Sequence, residues 1–595
     1  MEQKELYEDA YSIPFHYQTK EIAGTLIGQI TWDQHLINWK PWLSNERAGV
    51  AWVGIAENLT NPDPEKLFKL IKTEPKNLSN YDGSYAICTW DHQTESVLFA
   101  TAPTQSPSLF YTEGPEGFAI GSRGGPLLNL VGKRSELDPI QASLYISWGY
   151  LIGDGSLYKG VYRLKSRSVV DLTSKEIKVN RYQELVDLIR HPEGKLDKNT
   201  IMKKAKNKFL SRVKRQLDLS ENPIPNITGG RDSRLIASAA KAVGYQGDLV
   251  TLGSKKNQNA KIGKKVAQRL NLNHALRYPK RKDQPIQQKE NIVIVKKGNS
   301  PNANKVKRMA KNKERLLLWA KVNEGLETYR HAQGYRDYFH GKIASPYYNQ
   351  IFHGLGGEVH RGATYHLGKI VNDLKNINHS VATWTIKPLH LRKEAVVSLE
   401  KSLKEIDQTI KTINGTKENW LDLFYWQKRM LHWGQDMMSV KSMSGYHWTP
   451  LFDGDLIRLT TALDPDFKSS EEFVEKLTQS IAPELKDLPY DKDLAFKQMP
   501  KSIFSKISHK LIVYSYKQLK DTKIISYMNR LKSTKNKSWT TLTQFWELYL
   551  LDDFDSLIWP TLIDESYVKS LIKNDPKSDT LWSILTVELF HQANC

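Results

Sequence analysis

The stretch Asn226-Ile227-Thr228-Gly229-Gly230-Arg231-Asp232-Ser233-Arg234 is where residue types and spacing most clearly suggest chemistry. The pattern predicts a strand ending at Ile227, a tight turn at the glycine pair and a helix opening at about Ser233. Glycines let backbone amides approach an anion closely, and a helix N-terminus adds unpaired N–H groups and the positive end of a dipole. Phosphate suits such a turn. Asp232 is poorly suited to touch phosphate directly, but well suited to hold Mg²⁺ between phosphates. The spacing departs from G-x-x-x-x-G-K-[ST], so this is not a Walker A loop. An ordinary strand-to-helix turn with a glycine pair and an Asp–Ser cap has the same composition, and the motif alone leaves both readings open.

The surrounding elements must place that turn. Residues 1–190 read as β-rich: GTLIGQITW, GVAWVGI, SYAICTWD, SVLFATA and SLFYT are short, apolar or alternating, and bounded by Gly, Pro, Asn and Asp. DLIRHPEGKLDKNT breaks the rhythm and reads as a linker, and NTIMKKAKNKFLSRVKRQL follows as a basic amphipathic helix. PNI, TGGRDS, RLIASAAKAVGY and GDLVTLG then alternate strand, turn, helix, strand, the mark of an α/β unit with a parallel sheet. From about Asn372 the chain reads as mainly helical, and no repeat of fixed period is visible.

The 595 residues are 39% hydrophobic and 25% charged, which excludes disorder, collagen-like repeats and a disulfide scaffold. Cys88 and Cys595 are too few for a cysteine-built zinc site. The N-terminus lacks an apolar signal segment and no run is long enough to span a membrane, so the expected location is cytoplasmic. Net charge is +21, and 18 of those charges fall in two segments, Lys280–Arg315 and Lys501–Lys537. A surplus this localised suits an anionic partner; a solvated lysine-rich face is the alternative.

In order along the chain, several stretches resemble the asparagine synthetase family. TGGRDSR is similar to its S-G-G-x-D-S pyrophosphatase turn, with Thr228 for the first Ser. VTLG, then Asn259, Gly263, Val266, Ala267 and His274, resemble its D-x-x-x-A-x-x-V-A…H helix, with Asn259 for Asp and Gly263 for Ala. HGLGGEVHRG, His353 to Gly362, resembles G-x-G-x-D-E-x-x-x-G, with Glu358 where the family has a metal-binding Asp. TPLFDGDLIRLTTALDP resembles the P-F-L-D-x-x-L-v-e-x-A segment. The resemblance spans roughly Lys20 to Lys510 and implies an α/β plus α+β chain. Residues 1–190 would form a degenerate class II glutaminase-like (Ntn) β-sandwich domain. Residues 191–595 would form an adenine-nucleotide α-hydrolase-like synthetase domain. It further implies ATP and Mg²⁺, with Asp232 and Glu358 on the metal and Ile227, Thr228, Gly229, Gly230 and Ser233 around the phosphates. Leu252-Gly253 and His353-Gly354 would hold the adenosine, and Lys492, or else Lys497, would stabilise the transition state, the alternative being that neither does in a neighbourhood rich in lysine.

YDGSYAI with Trp90-Asp91, and LYKGVYRL, are similar to stretches of the family's glutaminase domain. A glutaminase needs a cysteine at the mature N-terminus, however, and residue 2 is Glu, with no cysteine before Cys88. Val53-Gly54-Ile55 stands where N-G-E would be. Cys88, inside YAICTW, reads as a buried inert thiol. Glutamine hydrolysis is therefore not expected, and the attacking nitrogen must arrive with a substrate. Relatives of that kind are lasso-peptide cyclases and β-lactam synthetases. The expectation is an AMP- and pyrophosphate-forming carbon–nitrogen ligase, a peptide macrolactam cyclase in natural-product maturation. Its partners would be a peptide with an anionic leader and a leader protease, with neither membrane nor nucleic acid. The β-lactam synthetase Tyr is replaced by Leu355, so that base is not carried over. An amidating enzyme acting on a small molecule or polysaccharide precursor, a tRNA- or nucleotide-modifying enzyme, and a degenerate binding partner are the other readings.

Overall fold

The computed structural model describes residues 5, 16–22, 24–31, 36–59, 61–172, 177–189, 196–253, 255–277, 316–328, 350–365, 377–385, 389–442, 446–491, 550, 557–575 and 578–595. Lys492, Lys497 and the basic segments Lys280–Arg315 and Lys501–Lys537 lie outside the described residues. The chain is mixed α/β.

The apolar runs near the N-terminus form strands. β1 (His16–Ile22) and β2 (Thr25–Thr31) make a hairpin. β3 (Trp42–Ser44), β4 (Ala48–Ala56), β5 (Gly83–Asp91), β6 (Ser96–Thr101), β10 (Ser168–Leu172) and β11 (Ile177–Arg181) form an antiparallel sheet in the order β11-β10-β6-β5-β4-β3. β7 (Phe110–Gly114), β8 (Gly117–Gly121) and β9 (Tyr162–Arg163) form a second sheet.

Period-two alternation divides the large sheet's residues between its faces. Tyr85 and Ile87 pack with Leu67, Phe68 and Ile71 of helix α1 (Pro64–Thr73). From the opposite face Ala86 packs with Leu109 and Leu164, and Tyr111 and Ile120 of the second sheet lie against that cluster. Further on, α2 (Gly124–Leu130) starts without a side-chain cap of its own. The Glu324 carboxylate serves instead, accepting from the Gly124 amide at 2.6 Å and the Gly125 amide at 3.2 Å.

The basic amphipathic segment is helix α3 (Lys198–Asp218), capped by the Asp197 carboxylate. Its Ile201, Ala205, Phe209 and Val213 recur every fourth residue and are buried, while Lys198, Lys203 and Lys214 are exposed. A parallel sheet follows, built from β12 (Pro223–Pro225), β13 (Leu249–Leu252), β14 (His274–Arg277), β15 (Gln350–Phe352) and β16 (His447–Trp448). β12 pairs with β15, β15 with β16 and β13 with β14. A bridge from Asn226 to Val250 and the Ile227 amide on the Val250 carbonyl at 2.8 Å join the two parts. The resulting order is β14-β13-β12-β15-β16. Helices α4 (Arg231–Ala242) and α5 (Gln258–Arg269) make the crossovers to β13 and β14. Ala and Ser at 237–240 let α4 bury its whole circumference.

The C-terminal layer holds α6 (Arg392–Thr412), α7 (Lys417–Phe424), a π-helical segment Tyr425–Gly434, α8 (Gln435–Lys441), α9 (Gly454–Thr461), α10 (Glu472–Ile481) and α11 (Asp579–Asn594). One apolar core runs through Leu144 and Tyr145 into Leu399, Leu403, Trp420 and Leu585, so packing is continuous across the expected 190/191 boundary. Polar contacts reinforce the junction. Buried Arg212 reaches Glu57 at 2.9 Å and Asp453 at 3.2 Å, and Arg163 makes a two-nitrogen fork on Asp436. Among the described residues no helix is long and apolar enough to cross a membrane.

Candidate functional site

The chain leaves β12 toward β13 and β14 on one side, then returns to place β15 and β16 on the other. The gap between β12 and β15 is therefore the switch point of the parallel sheet, where open α/β sheets leave a crevice at the strands' carboxyl ends. Thr228-Gly229-Gly230 follows β12 and His353-Gly354 follows β15, so both expected segments meet there.

Gly230 is the N-cap and α4 begins at Arg231, two residues earlier than the sequence pattern indicates. Ser233 thus sits in the first turn, because its hydroxyl folds back to donate to the Gly230 carbonyl at 3.2 Å. The turn is tied internally. The Thr228 amide donates to Ser233 Oγ at 3.1 Å, the two hydroxyls lie 2.8 Å apart, and the Gly230 amide donates to Thr228 Oγ1 at 3.1 Å. The Gly229 amide donates to Asn259 Oδ1 at 3.0 Å, a role that needs only an acceptor and that Asn fills as well as Asp. With those three amides engaged, the first-turn amides of α4 are the ones positioned for an anion, since Gly230 has no side chain to cap them.

The loop after β15 wraps Asp232 through its glycines. A Cβ on Gly354 would lie 2.8 Å from Asp232 Cβ, and one on Gly357 would lie 2.3 Å from Asp232 Cγ. A short 3₁₀ turn, Gly357–Arg361, then brings Glu358 and Arg361 to the same place. Arg361 donates to Asp232 Oδ2 at 2.6 Å, lies 3.8 Å from Glu358 Oε1 and reaches Glu471 at 3.3 Å. Burial pushes the Asp232 carboxyl up to about 7; Arg361 opposes that shift, while Glu358 and Glu471 add to it.

Asp232 Oδ1 and Glu358 Oε2 are buried and accept no hydrogen bond within the protein. Two unsatisfied hard oxygen acceptors beside a phosphate-type turn fit Mg²⁺, which is bound by one or two carboxylates and completes its shell with phosphate and water. Among the described residues no cluster of three or more His, Cys, Asp or Glu could hold a metal on protein ligands alone.

Leu252 ends β13 with its side chain exposed, and Gly253 follows at φ +134°, a conformation open mainly to glycine. His353 is half-buried, its ring 4.8 Å from that of His447. Burial, His447 and Lys441 hold its pKa well below the usual range, so it is neutral at pH 7.

Several residues here carried no sequence signal in our reading. Arg361 could have been found as a cation three residues after Glu358. Arg234 donates to the carbonyls of Leu488 and Pro489, both at 2.7 Å, and stacks 3.8 Å from the Tyr490 ring centre; Arg231 stacks on the same ring at 4.2 Å. The Asp491 amide then donates to the Gly229 carbonyl at 3.0 Å, so the chain just before Lys492 is fastened to the turn.

In the N-terminal sheet Cys88 is buried on β5 and burial pushes its thiol far up, as expected for an inert cysteine. Thr25 opens β2 in a hairpin turn, paired with Ile22. No protein-family model and no curated protein matches the chain.

Proposed function

We propose that the chain is an ATP-dependent amide-bond synthetase that adenylates a substrate carboxylate and couples it to a substrate amine. In this reading the N-terminal sheets form a glutaminase-like layer without a nucleophile, and the parallel sheet is an adenine-nucleotide α-hydrolase-like fold. The observation that carries the reading is Asp232. Its buried carboxylate stands at the switch point, enclosed by Gly354 and Gly357, with one oxygen unsatisfied and Glu358 alongside.

The chemistry follows from those positions. A substrate carboxylate oxygen bonds to the α-phosphorus of ATP as the bond to the β-phosphate oxygen breaks, giving an acyl-adenylate and pyrophosphate. An amine nitrogen then attacks the acyl carbon, AMP leaves, and the amine's proton passes to water or to the phosphate of the departing AMP. Asp232 and Glu358 would hold Mg²⁺, which when bound neutralises charge growing on the leaving pyrophosphate. The uncapped first turn of α4 and the Thr228 and Ser233 hydroxyls would receive that pyrophosphate. Leu252-Gly253 and His353-Gly354 would flank the adenosine. These groups act by positioning and by preorganised charge. A peptide macrolactam cyclase, drawing both carboxylate and amine from one substrate, is the specific form proposed.

ATP–Mg²⁺ should raise the melting temperature of the chain, and Asp232→Asn should abolish pyrophosphate release while leaving the fold intact. Undiminished release by Asp232→Asn would refute the assignment. A second reading, nucleotide binding without turnover, is favoured by Arg361 sitting on Asp232 where a metal would compete for it. It requires the thermal shift without pyrophosphate release under any substrate.

A further inference from the structure

A cavity of about 50 Å³ lies between the N-terminal strands and the helical layer, and it shares no lining residue with the Thr228 turn. Arg163, Lys165, Arg167, Arg181 and Lys428 line it, against the carboxylates of Asp154 and Glu405. Arg163 has a carboxylate of its own in Asp436, at 2.8 Å. The other four cations share two. Lys165 and Lys428 both bind Asp154, at 2.8 and 3.2 Å, and Arg167 and Arg181 both bind Glu405, at 2.7 and 2.6 Å. Two positive charges are left over in this set.

Within each shared pair the more exposed partner, Lys165 or Arg181, is the cation left without a carboxylate of its own. Arg163, Arg167 and Lys428 are almost wholly buried. Every buried cation here holds a carboxylate, and the two partly exposed ones that share it leave room for a further counter-charge. The unsatisfied polar atoms among the lining residues are all donors: Nε of Arg163, Nε of Arg167 and Nε2 of Gln427. On this measure of volume one water needs roughly 10–15 Å³, so the space suits an ion with a handful of oxygen atoms and is small for a sugar and base.

We propose that this cavity is a binding site for a small divalent oxyanion of the phosphate class. The anion sits where Asp154 and Glu405 each leave one cation unmatched, and it joins β9, the loop that follows it and β11 to α6 and the π-helical segment. That segment also carries Tyr425, whose hydroxyl lies in the field of Glu358, Arg361 and Asp232, so the two sites share one piece of backbone. The proposal does not depend on the synthetase reading.

Isothermal titration of the full chain with inorganic phosphate, against chloride at equal ionic strength, tests it. Saturable phosphate binding is expected. Lys165→Gln, a half-exposed position that should tolerate the change, weakens it by up to about fivefold. Asp154→Asn removes a competing carboxylate and tightens it. AMP is the second arm. If AMP competes with phosphate at this site, the natural ligand is the phosphoryl group of a larger molecule; if it does not, the ligand is the free anion. No phosphate binding beyond that of chloride overturns the proposal. So does phosphate binding that is unchanged in both Lys165→Gln and Arg181→Gln, which would place the anion at the α4 turn instead.

Discussion

One nitrogen of Arg361 stands 2.6 Å from Asp232 Oδ2 and 3.8 Å from Glu358 Oε1, so a single cation bridges two carboxylates that lie far apart in sequence. Removing it by Arg361→Met should leave the largely buried Asp232 without its cation, beside the half-exposed Glu358. Breaking a buried pair in this way costs about 3–5 kcal/mol. Mg²⁺ should restore part of that loss if the carboxylates can take a metal. Thermal melts of the variant with and without Mg²⁺ read this directly, and a loss that Mg²⁺ leaves untouched would count against the metal position.

Gly357 touches the same carboxylate from the other side. A Cβ there would sit 2.4 Å from Asp232 Oδ1, so Gly357→Ala must push Asp232 or the loop aside. A displacement of about 1 Å at a reacting centre costs on the order of 100-fold in rate. The variant should lose about that much turnover while its melting temperature falls only modestly. Wild-type turnover in Gly357→Ala would show that Asp232 takes no part.

Much of this site was legible because it is local. A glycine pair between an apolar strand and a helix names its own geometry, and the four-residue spacing of Ile201, Ala205, Phe209 and Val213 names a helix face. What escaped is long-range. The helix start at Arg231 depends on Ser233 folding back to Gly230. The dock of Arg234 on Leu488, Pro489 and Tyr490 depends on where α10 delivers the chain. The bonds of Arg167 and Arg181 to Glu405 and of Lys428 to Asp154 join the N-terminal part to helices more than two hundred residues away, and no spacing rule reports them. Packing across the expected 190/191 boundary was hidden for the same reason, since a linker's composition says nothing of what lies on either side.

Glu324 provides a pH test of such a long-range contact. It caps α2 through the Gly124 and Gly125 amides, yet burial outweighs those bonds and the Arg123 charge, pushing its carboxyl up to about 7 from an ordinary value near 4.5. The folded state therefore holds this proton more tightly than the unfolded state. Its contribution is fully present below pH 4.5 and is lost as pH rises through about 7. Glu324→Gln removes the titration, so its melting temperature should gain on that of the wild type across this window and level off above it. The ceiling is about 3 kcal/mol. A wild type that gains on Glu324→Gln as pH rises would mean that the amide bonds dominate instead.

The nucleotide products decide the chemistry. If the turn receives pyrophosphate and Asp232 and Glu358 neutralise it, as proposed, cleavage falls between the α- and β-phosphates, so AMP and pyrophosphate should appear and ADP should not. The buried, high-pKa thiol of Cys88 cannot release ammonia from glutamine, so glutamate should not accumulate when glutamine is supplied with ATP. The nitrogen then belongs to the substrate. If both reacting groups lie on one peptide, closing the ring removes one water overall, and intact-mass analysis of a candidate precursor peptide would register that loss. The surplus of lysine and arginine in Lys280–Arg315 and Lys501–Lys537 should draw an anionic leader, and this attraction should weaken with salt. Reversing several of those lysines should raise the KM for the peptide and leave the KM for ATP nearly unchanged. ADP as the nucleotide product would refute adenylation, and stoichiometric glutamate would restore a glutaminase.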